Sequence, residues 1–203
     1  MTKFTNIPKH WQITKLGEVC DKISLNGFKI KQKDYLEEGK YPVVDQGQEL
    51  IGGYYNDKKL VVPNEPPYII FGDHTKVKKF INFNFIAGAD GVKVLKPYSI
   101  FDPKFFFYLI HTVNIPDKGY ARHFQFLEKE EIPIPPLPEQ QAIVSKIEEL
   151  LLTNISLDYE NIHFTIMTYD LFDGHLNVSS ESVNLLTERI QMALNAELAD
   201  IRI

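Results

Sequence analysis

The sequence predicts an α+β chain in which a β-rich head, about residues 1–138, is followed by a helical region, 139–203. Three observations carry this. Between Tyr41 and Leu95, short branched and aromatic runs alternate with Gly, Asn-Asp and Pro turns, and no helical period spans them. A proline run at Pro133, Pro135, Pro136 and Pro138 closes that pattern. Beyond it, Ile143, Val144, Ile147, Leu150 and Leu151 recur at the spacing of one helix face.

Taken in order, Trp11, Ile13, Leu16 and Val19 fit a strand running into a short helical turn. Lys29, Lys31 and Lys33 alternate with Ile30 and Gln32, and at strand spacing the three lysines share one face. Strands are predicted at Tyr41–Val44, Leu60–Val62, Tyr68–Phe71, Val77–Ile81 and Gly91–Leu95. Asp102 is suited to cap a helix and Pro103 to begin one, so a helix is expected over the apolar stretch to His111, packed on the sheet. The proline run reads as a stiff spacer rather than a ligand for another module, with the next helix starting at Glu139. A second apolar stripe at Val183, Leu186, Ile190, Leu194, Leu198 and Ile201 predicts a further helix, capped by Ser179 or Ser180. Phe172-Asp173-Gly174-His175 reads as a turn between the two, which would make a helical hairpin.

Composition narrows the class. With 44% hydrophobic and 24% charged residues, the 203-residue chain is expected to fold, as one core or as a domain with an appendage. No apolar run approaches the roughly 18 residues of a membrane span. The N-terminus lacks the apolar core of a secretion signal. Cys20 is alone, which excludes an internal disulfide and a cysteine zinc cluster. A reduced, cytoplasmic protein is expected. The net charge of −5 hides a split: residues 1–127 hold 18 Lys+Arg and 13 Asp+Glu, and residues 128–203 hold 4 and 14. Affinity for phosphates follows the local field, so the head is able to face a polyanion while the tail faces something else.

The motifs favour binding over catalysis. Asn64-Glu65-Pro66-Pro67-Tyr68 is close to the loop with which amino-methyltransferases hold a flipped adenine, but Glu65 stands where an amide or Asp is needed, and no Gly-rich loop follows a strand to hold S-adenosylmethionine. Pro116-Asp117 lacks the second acidic residue and the Lys of a nuclease site, since Glu128-Lys129 has the wrong spacing. The six histidines show no metal-ligand spacing, and Gly88-Ala89-Asp90-Gly91 is no phosphate loop. No catalytic residue, metal site or cofactor is expected.

Gly72 to Lys79 reads differently. Lys76, Lys78 and Lys79 suit phosphates, and Asp73, His74 and Thr75 suit base edges or the orienting of lysines. Arg122-His123-Phe124-Gln125 places a guanine-pairing residue near an adenine-pairing one. Solvated or core-packing turns are the plain alternatives for both segments. The candidate phosphate contacts are Lys29, Lys31, Lys33, Lys76, Lys78 and Lys79, and the candidate base readers are His74, Thr75, Arg122, His123 and Gln125.

In order along the chain, Trp11 to Val19, Gly72-Asp73-His74-Thr75, Ala87 to Val92, Arg122-His123-Phe124 and Ile134-Pro135-Pro136-Leu137-Pro138-Glu139-Gln140-Gln141-Ala142-Ile143-Val144 resemble the DNA-specificity subunit of type I restriction–modification systems, over residues 8 to 152. The resemblance implies a target-recognition domain over 1–138 that reads duplex DNA. It also implies a helical spacer and dimerisation region over 139–203 that docks methyltransferase subunits, in a complex that can also hold a restriction subunit. Such subunits have no catalysis of their own; their partners methylate adenine or cleave. The family usually carries two recognition domains and this chain one, so a homodimer or a pairing with another half is expected, with Ile143, Ile147, Leu150 and Leu151 at the partner or dimer interface. Residues 153–203 do not read as the usual long continuation of the spacer helix. Two other classes stay open: a DNA mimic or interaction module acting through the acidic tail, and a stand-alone endonuclease.

Overall fold

The computed structural model describes residues 8–116, 118–119 and 121–158, with side chains to Glu149. The strands are β1 (Gln12–Lys15), β2 (Cys20–Ile23), β3 (Lys29–Ile30), β4 (Tyr41–Val44), β5 (Gly53–Tyr55), β6 (Tyr68–Gly72), β7 (Lys78–Ile81), β8 (Ile86–Gly88), β9 (Val92–Pro97) and β10 (Glu131–Ile134). The helices are α1 (Pro103–His111), α2 (Phe124–Leu127) and α3 (Leu137–Asp158). This is the α+β composition that the sequence predicts. The predicted stripe at 183–201 and the 172–175 turn lie outside the described residues. No helix among the described residues is long and apolar enough to cross a membrane.

The described residues form two compact units. One takes those within 15–99 and 113–130; the other takes those within 8–14, 100–112 and 131–158. The spatial grouping therefore cuts the chain differently from a single break at Pro138.

In the first unit, β2-β9-β6-β7 form an antiparallel sheet and β3-β8-β4-β5 form a mixed one. Alternation explains how a few residues serve two cores. Val44 and Ala87 join Tyr68, Ile70, Ile81, Phe85 and Val94 in one cluster. Their chain neighbours Val43 and Ile86 face the other way, into a cluster with Ile30. β6 is buried along its whole length, as a central strand covered on both faces should be. Two predicted elements differ. Leu60–Val62 is no strand: Asp57 accepts from the Lys59 N–H at 2.9 Å and winds Lys58–Leu60 into a 3₁₀ turn. The lysine alternation ends at Ile30, because Gln32–Asp34 is also a 3₁₀ turn. Lys29, Lys31 and Lys33 are all exposed, but not as one strand face.

In the second unit, β1 pairs with β10, and α1 packs on α3. Asp102 caps α1 as predicted, accepting from the Lys104 and Phe105 N–H groups at 2.9 and 3.0 Å. Within the unit, the packing partner of α1 is the helix α3. The proline run is not a free spacer. Its first half is β10, with Pro133 and Pro135 buried, and a two-stranded sheet tolerates a strand residue without an N–H. Helix α3 begins at Leu137, so Pro138 lies in its first turn, where a missing N–H costs nothing. Ile143 and Ile147 are 2% and 1% exposed in the chain, so they pack as core residues rather than as the exposed partner face expected. The side chains of Leu150 and Leu151 lie outside the described residues.

The Pro-Glu-Gln-Gln segment makes the joint of this unit. Gln140 is fully buried and spends its whole amide: Oε1 accepts from the Asp102 N–H at 2.8 Å, and Nε2 donates to Ile100 O and Pro135 O, each at 2.9 Å. Glu139 accepts from Trp11 Nε1 and His10 Nε2, both at 2.8 Å.

Candidate nucleic-acid interface

In the first unit, four chain segments meet at one end of the β6–β9 pair: the loop after β4, the β6–β7 turn, the β8–β9 turn and the 121–125 tip. The β6–β7 turn is tight. The Gly72 N–H donates to Val77 O and the Lys76 N–H to Gly72 O, both at 2.8 Å, and Lys76 adopts a left-handed φ of 62°. Gly72 is required here because a Cβ would sit 2.2 Å from Thr75 Oγ1. Gly91, at φ 73°, serves the neighbouring turn: a Cβ there would fall 2.4 Å from Gln46 Oε1.

Gln46 joins the loop to the turn. Its Oε1 accepts from the His74 N–H at 3.2 Å, and its backbone carbonyl accepts from Thr75 Oγ1 at 2.8 Å. Lys79 anchors the same loop from below. Its ammonium donates to Asp45 O at 2.9 Å and Glu49 O at 2.5 Å, and lies 3.8 Å from Asp45 Oδ1. The residue is 5% exposed, and burial lowers its pKa against the opposing pull of Asp45 and Glu49.

Asp73 joins the turn to the tip. It is 2% exposed. Its Oδ1 accepts from the Phe124 N–H at 2.9 Å, and Lys93 Nζ lies 3.1 Å from Oδ2. Its carbonyl accepts from both the N–H and Nδ1 of His123, at 2.8 and 3.1 Å. Its own N–H donates to Gly91 O at 2.6 Å. His74 Nδ1 donates to Ala121 O at 3.1 Å. Phe124 then packs on Phe71, on the face of β6 opposite Tyr68 and Ile70, with ring centroids 5.9 Å apart, while Lys22 Nζ sits 5.3 Å from the Phe124 ring centroid.

The two segments singled out in the sequence therefore meet, and the geometry sorts their residues. Thr75, Arg122 and Gln125 are exposed, and His74, Lys76 and Lys78 are partly so. Lys79 and His123 differ from expectation. Lys79 is spent on backbone carbonyls inside the fold, and His123, fully buried, is spent on Asp73. Gln46 was not anticipated; it stood in a stretch legible only as a turn. Lys29, Lys31 and Lys33 are exposed on and after β3, in the other sheet of the unit.

The methyltransferase-like loop has a structural explanation. Tyr68 is buried, and its hydroxyl donates to Pro63 O at 3.1 Å and to Asn64 O, so its ring is not available to stack a base. No group of His, Cys, Asp and Glu among the described residues is arranged to hold a metal ion.

The fold and sequence have known relatives. The specificity subunit of a type I restriction enzyme from Escherichia coli is 26% identical over 186 residues, covering 86% of this chain and 43% of that protein. The HsdS subunit from Thermoanaerobacter tengcongensis shares the fold with a TM-score of 0.56 at 18% identity, covering 95% of this chain and 47% of its own. The S subunit from M. genitalium gives a TM-score of 0.52 at 17% identity, covering 79% and 45%. The chain thus spans less than half the length of these relatives. The model of the type I restriction modification DNA specificity domain matches residues 8–162, and the chain belongs to that family.

Proposed function

We propose that this chain recognises a specific duplex DNA sequence and delivers it to adenine methyltransferase and restriction subunits, without catalysis of its own. The observation that carries the reading is the meeting of the 72–78 turn and the 121–125 tip on a chain of this family. Arg122, Gln125 and Thr75 are exposed on these segments, and His74, Lys76 and Lys78 are partly so. Arg pairs bidentately with guanine and Gln with adenine, and lysines take phosphates. Lys29, Lys31 and Lys33 extend the phosphate contacts. Lys79 and His123 hold the scaffold.

The division of labour follows the resemblance: recognition in the head to Pro138, spacing and assembly from Glu139 to Ile203. Two such recognition domains, from two copies of this chain or from this chain and another, would read a split site. Leu150 and Leu151 are the interface candidates that remain once Ile143 and Ile147 are assigned to the core. A cytoplasmic location goes with this role.

The test is co-capture of the full chain with its methyltransferase subunit and a randomised duplex pool. Recovery of the chain, the methyltransferase and an enriched duplex together supports the reading. Capture of the methyltransferase with DNA excluded would turn it over to a mimic acting through the acidic tail. Mg²⁺-dependent cutting by the chain alone would make it an endonuclease.

A further inference from the structure

We propose that Asp73 is a positioning residue for this recognition. It holds the 121–125 tip in one register against the β6–β7 turn, so that groups on both segments address one duplex together. The inference rests on the DNA-recognition reading above. Among the described residues of 113–130 there is no strand, so no ladder fixes the tip. What fixes it converges on residues 73 and 74. Asp73 O takes both donors of His123, Asp73 Oδ1 takes the Phe124 N–H, and His74 donates to Ala121 O.

The carboxylate also completes α2. His123, which precedes that helix, offers it no side-chain cap, and Asp73 supplies the acceptor from another part of the chain. Lys93 balances the charge that burial would otherwise penalise. Asp73 is too buried to meet a duplex itself. It acts through Arg122 and Gln125, the exposed residues on either side of the pinned His123-Phe124 pair.

The sign of the effect separates positioning from charge. Removing an acidic residue near a polyanion leaves general affinity unchanged or raises it. Removing a positioning residue lowers affinity only where bases are read. The experiment compares wild type, Asp73→Asn and Asp73→Ala, each as the full chain with its methyltransferase subunit. The probes are duplexes enriched by the wild-type complex from a randomised pool and, for general binding, poly(dI-dC). For Asp73→Ala, affinity for the enriched duplex should fall on the order of 10- to 100-fold, the cost of one lost base pair contact. Binding to poly(dI-dC) should be unchanged or tighter. Asp73→Asn should fall between, because its side-chain carbonyl still accepts from the Phe124 N–H. Without DNA, the amides of His123 and Phe124 should exchange faster in both variants.

An unchanged ratio of enriched to general affinity in Asp73→Asn overturns the proposal, whether or not Asp73→Ala folds. So does equal weakening on every duplex, or unchanged exchange at Phe124. If the wild-type complex enriches no duplex, the functional reading fails instead, and amide exchange alone judges the clamp.

Discussion

Gln140 in one unit and Asp73 in the other each tie down backbone from a segment dozens of residues away, but with different chemistry. The Gln140 amide carries both a donor and an acceptor, so it satisfies Asp102 N–H, Ile100 O and Pro135 O with no outside help. Asp73 only accepts through its side chain, and it needs the Lys93 ammonium to be tolerable when buried. The neutral joint lies in the most recognisable stretch of the sequence. The charged joint lies between the two segments proposed to read DNA. The strongest motif in the chain therefore marks assembly of a helix onto its unit, and not the reading of bases.

The comparison breaks most easily at Gln140. Gln140→Leu fits the space but strands three backbone groups, so unfolding free energy measured with denaturant should fall by about 3–5 kcal/mol. A loss under about 1 kcal/mol would mean that the amide joint is incidental. Lys79→Met keeps the aliphatic stem and leaves Asp45 O and Glu49 O without their donor, and should cost about 2 kcal/mol in the same assay. Arg122→Ala should leave stability alone and cost about 1–3 kcal/mol of affinity for the enriched duplex, with one base position relaxed. Equal loss on all duplexes would make it a phosphate contact. Replacing Lys76 and Lys78 together with Ala should weaken every duplex and lower the slope of log affinity against log salt by roughly 1–2. An unaltered slope would remove both from the phosphate set.

The last effect appears only at alkaline pH. Burial, reinforced by Glu148, pushes the Tyr108 phenol up to about 12, and burial, with Asp21 and Glu128 adding to it, pushes the Cys20 thiol up to about 12. Both groups hold their protons more tightly folded than unfolded. Their contribution to stability is whole below the unfolded values of 10.0 and 9.0 and is lost as pH climbs toward 12. Denaturant midpoints should therefore fall across that window, and Tyr108→Phe should lessen the fall. Cys20 should also react slowly with thiol reagents at neutral pH.

How much was legible depended on where each residue finds its partners. The α1 start could be read because Asp102 caps groups two and three residues away. Tyr68–Phe71 could be read because a branched, aromatic run suits a covered strand. Leu60–Val62 has the same composition, but Asp57 next door draws Leu60 into a turn, and only Val61 and Val62 remain to bridge Ile86 and Phe85. The proline run looked like a rod because strand β1, which pairs with it, is over a hundred residues earlier. Lys79 and His123 looked like surface groups for the same reason. The carbonyls that bury them belong to Asp45, Glu49 and Asp73, and no local pattern announces those contacts. Arg122 and Gln125 are exposed, as polar turn residues should be, and Thr75 is exposed although its hydroxyl donates to Gln46 O.

The most direct test is amide hydrogen exchange on the full chain with its methyltransferase subunit, with and without the enriched duplex. The account predicts that DNA slows exchange in the 72–78 turn and the 121–126 tip together, and leaves the joint around Gln140 unchanged. Protection confined to α3, or protection of one of the two segments without the other, would contradict it.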